Sequence, residues 1–268
     1  MIPNVLSIAG SDPSGGAGIQ ADIKAISANG AYAMAAITAL TAQNTQGVSG
    51  VHLVPPSFVH DQIAAIFSDI RVDAVKIGMI ANAEIARAVA KAMRPHAEVP
   101  VVLDPVMIAK GGATLLEEDA ITTLRNALLP LAMVLTPNLP EAAHLLGTSV
   151  ATTRDEMAKQ AKALLAFGPK AILLKGGHLK ASDSPDCLLT DAGIQWFDGP
   201  RIVTANTHGT GCTLSSALAA HLAKGRTIPD AVAAAKAYVT HAIADGDQLD
   251  VGNGHGPVHH FSHLYHQK

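Results

Sequence analysis

The chain has 268 residues, of which 49% are hydrophobic and 15% are charged. That suffices for a large buried core, and we predict one domain over residues 1–268. The net charge of -3 argues against nucleic acid as an obligate partner, no apolar stretch is long enough to span a bilayer, and two cysteines form no disulfide framework, which favours the reducing cytoplasm.

Short apolar runs rich in β-branched residues alternate along the chain with longer Ala-rich stretches of helical period. The runs predict strands at Asn4–Ala9, Ala35–Thr38, Ala74–Ile77, Val99–Leu103, Met133–Thr136 and Ala171–Leu174. The stretches between them predict helices near Gly18–Asn29, Ser57–Ser68, Asn82–Arg94, Glu118–Leu129 and Arg154–Phe167. This alternation is typical of parallel βαβ units, and the almost continuously apolar strands indicate a sheet covered on both faces.

The stretch Pro185–Val203 breaks this alternation. Two apolar runs, Asp186–Thr190 and Gln195–Phe197, flank an Asp-Ala-Gly sequence that is typical of a hairpin turn. Two further helices are predicted after it, near Thr213–Lys224 and Pro229–Asp245. The order of elements therefore indicates an α/β fold with a hairpin inserted before its last two helices.

Polar or glycine-rich segments follow the predicted strands. They are residues 10–12, 41–44, 78–79, 104, 138–141 and 175–178. Ligands of an open parallel sheet bind beyond the carboxyl ends of its strands, so we expect these segments to meet at one rim and form a site.

The first of these loops, residues 11–18, is rich in glycine. Gly16, Gly18 and Ala21 match a permitted form of the dinucleotide-binding fingerprint. That fingerprint also needs an acidic residue about 20 positions further on, and none occurs between Asp22 and Asp61. A Gly-Lys-Ser/Thr sequence does not follow either, so the loop is interpreted as a substrate-binding loop or as a tight turn only.

The segment 207–213, sequence THGTGCT, stands at the predicted start of a helix. Helix N-termini present unpaired N–H groups and attract anions, and Gly209 and Gly211 would let the backbone approach a phosphate. A helix N-terminus also favours the thiolate of a cysteine, here Cys212. The segment therefore predicts phosphate chemistry beside a thiolate.

Three charged residues at strand ends complete the predicted site. Asp104 and Glu141 suit a magnesium ion held largely through water and phosphate oxygens, but Asp104 could instead cap a loop and Glu141 could complement a helix dipole. Lys175 suits a phosphate tail, with a solvated lysine as the alternative. The sequence leaves open whether Asp22 touches substrate or caps its helix.

Eight motifs, each present once, follow one another along nearly the whole chain. They are AGSDPSGGAGIQAD at 9–22, AQNT at 42–45, KIGM at 76–79, LDPVM at 103–107, TPNLPEA at 136–142, KGGH at 175–178, THGTGCT at 207–213 and GPVHHF at 256–261. This set resembles the hydroxymethylpyrimidine/phosphomethylpyrimidine kinases of thiamine biosynthesis, a branch of the ribokinase-like superfamily.

The resemblance implies a three-layer αβα sandwich with a central, mostly parallel sheet. It implies ATP and Mg²⁺ as cofactors and a homodimer. It also implies two successive phosphorylations of 4-amino-5-hydroxymethyl-2-methylpyrimidine, first to the monophosphate and then to the diphosphate.

By position, the resemblance also implies roles for single residues. Gln43 would hydrogen-bond the pyrimidine in a substrate site that includes Gly10, with Ala17, Met79 and Val106 as its apolar walls. Asn138 and Glu141 would organise magnesium and phosphate. Lys175 would approach the ATP phosphates. The anion hole for the transferring phosphoryl group would consist of Gly209, Thr210, Gly211 and Cys212.

For Cys212 the favoured interpretation is a general base, ahead of a small residue at a helix start and of a covalent nucleophile. A pyridoxal kinase and a non-catalytic pyrimidine-binding protein are the rival functions. A metal-binding role for the C-terminal histidines is a further alternative, which would rest on His259, His260, His263 and His266.

Overall fold

The computed structural model describes residues 1–107, 118–180 and 182–265. Its strands are β1 (Asn4–Ala9), β2 (Tyr32–Ile37), β3 (Ala39–Asn44), β4 (Gly47–Leu53), β5 (Ala74–Ile77), β6 (Val101–Leu103), β7 (Val134–Leu135), β8 (Ala171–Leu174), β9 (Asp186–Thr190) and β10 (Gly193–Phe197). Its α-helices are α1 (Gly18–Ala28), α2 (Pro56–Asp69), α3 (Ala83–Met93), α4 (Glu118–Thr123), α5 (Leu139–Leu146), α6 (Arg154–Leu165), α7 (Thr210–Ala223), α8 (Ile228–Ala244) and α9 (Ser262–Tyr265).

Eight of these strands form one sheet in the order β10-β9-β8-β7-β6-β5-β1-β2. The six strands β8, β7, β6, β5, β1 and β2 are parallel to one another. Strand β9 pairs antiparallel with β8, and β10 pairs antiparallel with β9. Side chains alternate across each strand, so that Val102 and Leu103 enter two different hydrophobic cores. Helices α2, α3 and α6 cover one core, and α1, α7 and α8 cover the other, which makes the predicted three-layer αβα sandwich.

The structure confirms the predicted alternation of strands and helices, with changes at the element ends. The strands predicted at Val99–Leu103 and Met133–Thr136 are shorter, because only three and two of their residues pair in the sheet. Helix α7 begins at Thr210, three residues before the prediction, so Gly211 and Cys212 lie in its first turn. The stretch 108–117, which includes the approach to the helix predicted near Glu118, lies outside the described residues.

Residues 41–44 do not form the predicted loop at a strand end. They belong to β3, which pairs with β4 as a separate antiparallel ribbon. Both strands of this ribbon are largely exposed, so its sequence lacks the apolar alternation that a half-buried strand shows. The ribbon carries Thr41, Gln43 and Val48 to the rim of the sheet.

In the described residues, no helix is long and apolar enough to cross a membrane. Helix α7 is buried along most of its length between the sheet and α8. It contains His221, whose Nδ1 has no hydrogen-bond partner among the described residues. Burial, together with the charges of Arg226 and Lys224, lowers the pKa of His221 to about 4.

This buried histidine predicts a pH-dependent stability. The unfolded chain binds a proton at His221 below about pH 6.5 and the folded chain does not, so stability is lost as the pH falls through that range. We expect His221→Leu to recover about 2 kcal/mol of unfolding free energy at pH 5 relative to pH 7. Urea unfolding at both pH values measures this difference, and an unchanged pH dependence in the variant would contradict the assignment.

Candidate active site

A cavity of about 720 Å³ opens at the carboxyl ends of the parallel strands. It is lined by the loops that follow β1, β5, β6, β7 and β8, by the ribbon, and by the first turn of α7. All the predicted site residues line it, namely Gly10, Ala17, Gln43, Met79, Asp104, Val106, Asn138, Glu141, Lys175, Gly209, Thr210, Gly211 and Cys212. The structure thus brings together residues that are separated by up to about two hundred positions in the chain.

The first turn of α7 forms one wall of the cavity. Gly209 caps this helix with φ of 75°, and a side chain there would collide with the carbonyl oxygen of Gly16. A Cβ added at Gly211 would lie 3.2 Å from Nζ of Lys175. The N–H of Thr210 makes a long hydrogen bond of 3.4 Å to the Thr207 carbonyl, and the N–H of Thr213 bonds to Gly209 at 2.9 Å. The first N–H groups of a helix otherwise lack partners within it, so the start of α7 offers an anion site directly beside a cation.

Lys175 and Asp104 form an ion pair at the centre of the cavity, with 2.8 Å between Nζ and Oδ1. Thr136 and Ser215 also donate to the carboxylate, at 3.3 and 3.4 Å. Burial opposes the charged form of Lys175, but Asp104 and Glu141 prevail and raise its pKa. Lys175 is therefore not a solvated lysine, and the Asp104 side chain forms this pair rather than a loop cap.

Asn138 and Glu141 form a capping box at the start of α5, a helix that the sequence analysis did not include. Each side chain accepts a hydrogen bond of 2.8 Å from the other residue's backbone N–H. Burial and the charge of Asp104 raise the pKa of Glu141 to about 7, against the opposing effects of Lys175 and of its backbone hydrogen bond. The helix-cap interpretation of Glu141 is thus realised, and the same carboxylate still lines the cavity.

Cys212 differs from expectation. Burial raises the pKa of its thiol to about 11, and the carboxylates of Asp22 and Asp104 act in the same direction. Lys76 and the N–H of Gly18 lower this pKa but do not compensate. The helix start therefore does not suffice to favour a thiolate in the ligand-free site, because desolvation and two buried carboxylates raise the pKa of Cys212 more than Lys76 and the N–H of Gly18 lower it.

The substrate-binding candidates line the region of the cavity beside the glycine-rich loop and the loop before α7. Gly10 lies against Met79, and a side chain at Gly10 would collide with the Met79 methyl group. Gln43 reaches the loop before α7, with 3.4 Å between its Nε2 and Nε2 of His208. This region of the cavity therefore combines the side-chain amide of Gln43 with an apolar wall.

Asp12 ties the glycine-rich loop to the loop before α7, a role that the sequence analysis missed. Its carboxylate accepts hydrogen bonds from the N–H groups of Ser14 and Ala17 and lies 2.7 Å from Nε2 of His208. Burial opposes its charged form, but the hydrogen bonds from His208 and Ser14 hold the pKa of Asp12 below its ordinary value. Both residues lie inside recognised motifs, but nothing in the sequence pairs position 12 with position 208.

Asp22 does not cap its helix, and it is not among the residues that line the cavity. Its two oxygens lie 2.8 Å from Nζ of Lys76, and the hydroxyls of Ser7 and Ser216 donate to them at 2.6 and 2.7 Å. The Asp22 and Lys76 side chains are both 0% exposed. Ser7 and Lys76 are partners on β1 and β5, so this network joins two strands to α1 and α7 under the cavity floor.

A further ion pair, between Lys236 and Asp186, lies where the cavity reaches α8. Lys236 donates to Asp186 at 2.6 Å and to the carbonyl of Ser184 at 2.8 Å. Asp186 in turn accepts the N–H of Gly176, immediately after Lys175. Apolar residues of α8 and α7 line the same region, including Val239, Ile243 and Leu214.

The described C-terminal histidines do not form a metal site. Among the residues with described positions, no cluster of three or more His, Cys, Asp or Glu side chains is arranged to hold a metal. His259 and His260 are buried, whereas His263 is exposed. His266 lies outside the described residues.

A family model for phosphomethylpyrimidine kinase matches residues 12–259. The chain belongs to this family. It is 55% identical to a hydroxymethylpyrimidine/phosphomethylpyrimidine kinase of Salmonella typhimurium, over 96% of this chain and 97% of that protein. It is 54% identical to the enzyme of the same name from Escherichia coli, with the same coverage.

Solved structures show the same fold. An ADP complex of Bacillus subtilis pyridoxal kinase superposes with a TM-score of 0.90 at 35% identity, covering 98% of this chain and 99% of that one. A phosphomethylpyrimidine kinase from Clostridium difficile has a TM-score of 0.80 at 42% identity, covering 90% and 99%. Family and fold together make this chain a ribokinase-like kinase that uses ATP.

Proposed function

We propose that this kinase phosphorylates 4-amino-5-hydroxymethyl-2-methylpyrimidine to its monophosphate and then to its diphosphate, for thiamine biosynthesis. The observation that carries the proposal is the 55% identity, over nearly the whole chain, to a relative named for both of these activities. The cavity supports it, because its lining combines a side-chain amide and apolar residues with an anion site and a lysine. Such an arrangement suits an aminopyrimidine alcohol and a nucleoside triphosphate.

In this proposal the pyrimidine lies among Gly10, Ala17, Met79 and Val106, and Gln43 binds its edge. A side-chain amide offers one acceptor and two donors, which suits the ring nitrogen and the amino group of the substrate. A side chain at Gly10 would displace the terminal methyl group of Met79 from this wall. The flexible thioether of Met79 then packs against the flat ring.

The nucleotide phosphates lie against Lys175, Asn138 and the first turn of α7. The hydroxymethyl oxygen attacks the γ-phosphorus as the bond to the bridging oxygen of ADP breaks. The N–H groups of Gly209, Thr210 and Gly211 stabilise charge on the equatorial oxygens of the transferring group. Lys175 is already oriented for this contact by its pairing with Asp104.

Magnesium fits this site as an ion that arrives with the nucleotide. Mg²⁺ in phosphoryl-transfer sites is held by one or two carboxylates together with phosphates and waters. Asp104 and Glu141 provide two such carboxylates on the cavity wall, and Glu141 keeps one oxygen beyond its capping bond to Asn138. When bound, the ion supplies charge neutralisation between the phosphates.

The raised pKa of Glu141 predicts a pH-dependent affinity for magnesium. Below its pKa of about 7 the side chain is protonated, so Mg²⁺ must displace a proton and its affinity falls as the pH drops. Calorimetry of Mg²⁺–ATP binding in buffers of different ionisation enthalpy should show proton release at pH 6 and little at pH 8.5. Glu141→Gln should abolish this release, and release that persists in the variant would contradict the assignment.

Cys212 is proposed as the base that takes the proton of the substrate alcohol. With a pKa of about 11 in the ligand-free site, the thiol must lose its own proton before it can act. Phosphoryl transfer passes through a loose transition state in most analyses, so the alcohol proton can leave late and a small thiolate fraction suffices. The charge of Lys76 is the largest contribution that favours this thiolate.

Mass analysis of the products tests the substrate. The pyrimidine alcohol with ATP and Mg²⁺ should gain one phosphoryl group and then a second. Pyridoxal kinase is the second candidate, because pyridoxal kinases superpose with TM-scores near 0.90. Higher kcat/KM for pyridoxal than for the pyrimidine would favour it, and no substrate-dependent ATP consumption would favour a pyrimidine-binding protein.

We also propose a homodimer that works in the cytoplasm. The ribbon exposes Val51 and Leu53 on one face and Leu40 on the other, and these apolar side chains offer contacts to a second copy. Cys187 and Cys212 are both free, as a reducing compartment requires. Sedimentation velocity measures the assembly, and a monomer at micromolar concentration would overturn it.

A further inference from the structure

The stretch from His255 to His260, called here the C-terminal strap, lies beside the site and contacts three of the elements that surround it. The N–H of His255 donates to Thr45 on the ribbon, and the carbonyl of Gly256 accepts the N–H of His208 at 3.0 Å. Further along, the N–H of His259 donates to the carbonyl of Ala242 on α8. The strap is therefore attached to three separate parts of the cavity wall.

His260 connects this strap to the anion hole through its side chain. The ring is 4% exposed, and Nε2 lies 3.0 Å from Oγ1 of Thr213. Oγ1 of Thr213 in turn lies 2.9 Å from the carbonyl oxygen of Gly209. The N–H of Thr213 reaches the same oxygen at 2.9 Å, so this carbonyl accepts two hydrogen bonds from one residue.

The direction of these bonds follows from the protonation of His260. Burial, with the charges of Lys24 and His259, lowers the pKa of His260 to about 3, so the ring is neutral and carries one proton. A carbonyl oxygen can only accept, so the arrangement that satisfies both contacts has the Thr213 hydroxyl donating to Gly209 and the His260 ring donating to Thr213 from Nε2. We infer this tautomer from the hydrogen-bond partners.

This chain of bonds acts on the peptide group that opens α7. Gly209 has a positive φ, so its conformation depends on the groups that hold it. A trans peptide is planar, so fixing the Gly209 carbonyl also fixes the direction of the next N–H, that of Thr210. On the other side, the strap holds His208 through Gly256, so the strap is bonded to the residue before Gly209 and, through His260, to Thr213 in the first turn after it.

We propose that His260 is a positioning residue for phosphoryl transfer, which acts through Thr213 to hold the N–H groups of the anion hole in the direction of the transferring phosphoryl group. This inference rests on the proposed function, in which the first turn of α7 binds that group. His260 itself touches neither substrate nor nucleotide in this account. Its contribution belongs to the transition state rather than to substrate binding.

Kinetics of four full-length variants test this role. His260→Phe removes the ring donor and keeps the ring volume, and Thr213→Val removes the hydroxyl at nearly constant shape. Each should lower kcat for the pyrimidine alcohol about 10- to 100-fold, with KM for that alcohol within about twofold of wild type. Thr213→Ser keeps the hydroxyl and should restore most of kcat. His263→Phe changes an exposed histidine in α9, just after the strap, and should leave kcat unchanged.

The double variant His260→Phe with Thr213→Val gives the decisive comparison. If the two residues act in one chain, the double variant should lose about as much as either single variant. Losses that multiply, a wild-type kcat in a folded His260→Phe protein, or a change confined to KM would each overturn the proposal. Thermal melting confirms that each variant is folded.

The substrate assignment can fail separately. If the wild type phosphorylates pyridoxal and not the pyrimidine, the proposed substrate is wrong, and the same variants assayed with pyridoxal still decide the role of His260. If it phosphorylates neither, binding of ADP with aluminium fluoride, a mimic of the transferring group, decides it. His260→Phe should then weaken binding of that pair at least tenfold more than binding of ADP alone, and equal effects would overturn the role.

Discussion

Cys212→Ala is expected to slow the first phosphorylation by about 10²–10⁴-fold, the usual contribution of a general base. The first step removes a proton from a neutral alcohol, whereas the second attacks with a phosphate oxygen that is already anionic. The second step should therefore stay within about tenfold of the wild-type rate. Single-turnover assays that start from the alcohol and from the monophosphate measure the two steps separately.

A matched control is available in the other thiol of the chain. Cys187 is a buried core residue, and burial with the charge of Asp186 also raises the pKa of its thiol to about 11. Cys187→Ala should leave the ratio of the two steps unchanged. If Cys212→Ala slows both steps equally while its melting temperature is preserved, Cys212 shapes the anion hole and is not the base.

The pH dependence of the first step gives a second view of Cys212. Because burial raises the pKa of the free thiol to about 11, the thiolate fraction rises throughout the neutral and mildly alkaline range. The rate of the first step should therefore increase with pH more steeply than the rate of the second. A first step that is independent of pH between 7 and 9 would argue against proton transfer to this thiol.

Lys76→Met is expected to destabilise the fold by about 3–5 kcal/mol, because it leaves the Asp22 carboxylate buried without its cation. Both side chains are fully buried, so water cannot replace the lost partner. Asp22→Asn should be destabilising for the complementary reason. Urea unfolding, monitored by circular dichroism, gives the free energy of unfolding for each variant.

The double variant Asp22→Asn with Lys76→Met separates the ion pair from the packing. The asparagine can accept from one of Ser7 and Ser216 through Oδ1 and donate to the hydroxyl oxygen of the other through Nδ2, and no charge remains buried, so stability should return to within about 1–2 kcal/mol of wild type. Losses that add in the double variant would show that the pair contributes through its individual contacts. Lys76→Met alone should also slow the first phosphorylation, because Lys76 favours the Cys212 thiolate, and the double variant should recover part of that rate because it also removes Asp22, which disfavours the thiolate.

The elements of the central sheet were predictable because their sequence signal is strong. Strands such as β1 and β5 are buried on both faces and appear as continuous apolar runs. The ribbon of β3 and β4 was not predicted, since it is exposed and forms outside the sheet. Helix α5 begins with Pro140 in its first turn and is only eight residues long, so its periodic signal is short.

The candidate site was predictable as a set of loops but not as a set of pairs. Glycines and polar residues at strand ends identify the loops, because the carboxyl ends of parallel strands share one rim. The partners of those residues come from distant segments, as Asp104 with Lys175 and Asp12 with His208 show. No local pattern predicts such pairings, because side chains that lie close together in the fold can be far apart in sequence.

The sequence by itself determined the family, the αβα architecture and the segment in which glycines and Cys212 open a helix. It could not determine the state of that thiol. Whether Cys212 is a thiolate depends on the balance between the helix N-terminus and Lys76 on one side, and desolvation, Asp22 and Asp104 on the other. Only the tertiary structure decides that balance, because it places two buried carboxylates near the thiol and because electrostatic free energies depend on distance and burial rather than on order along the chain.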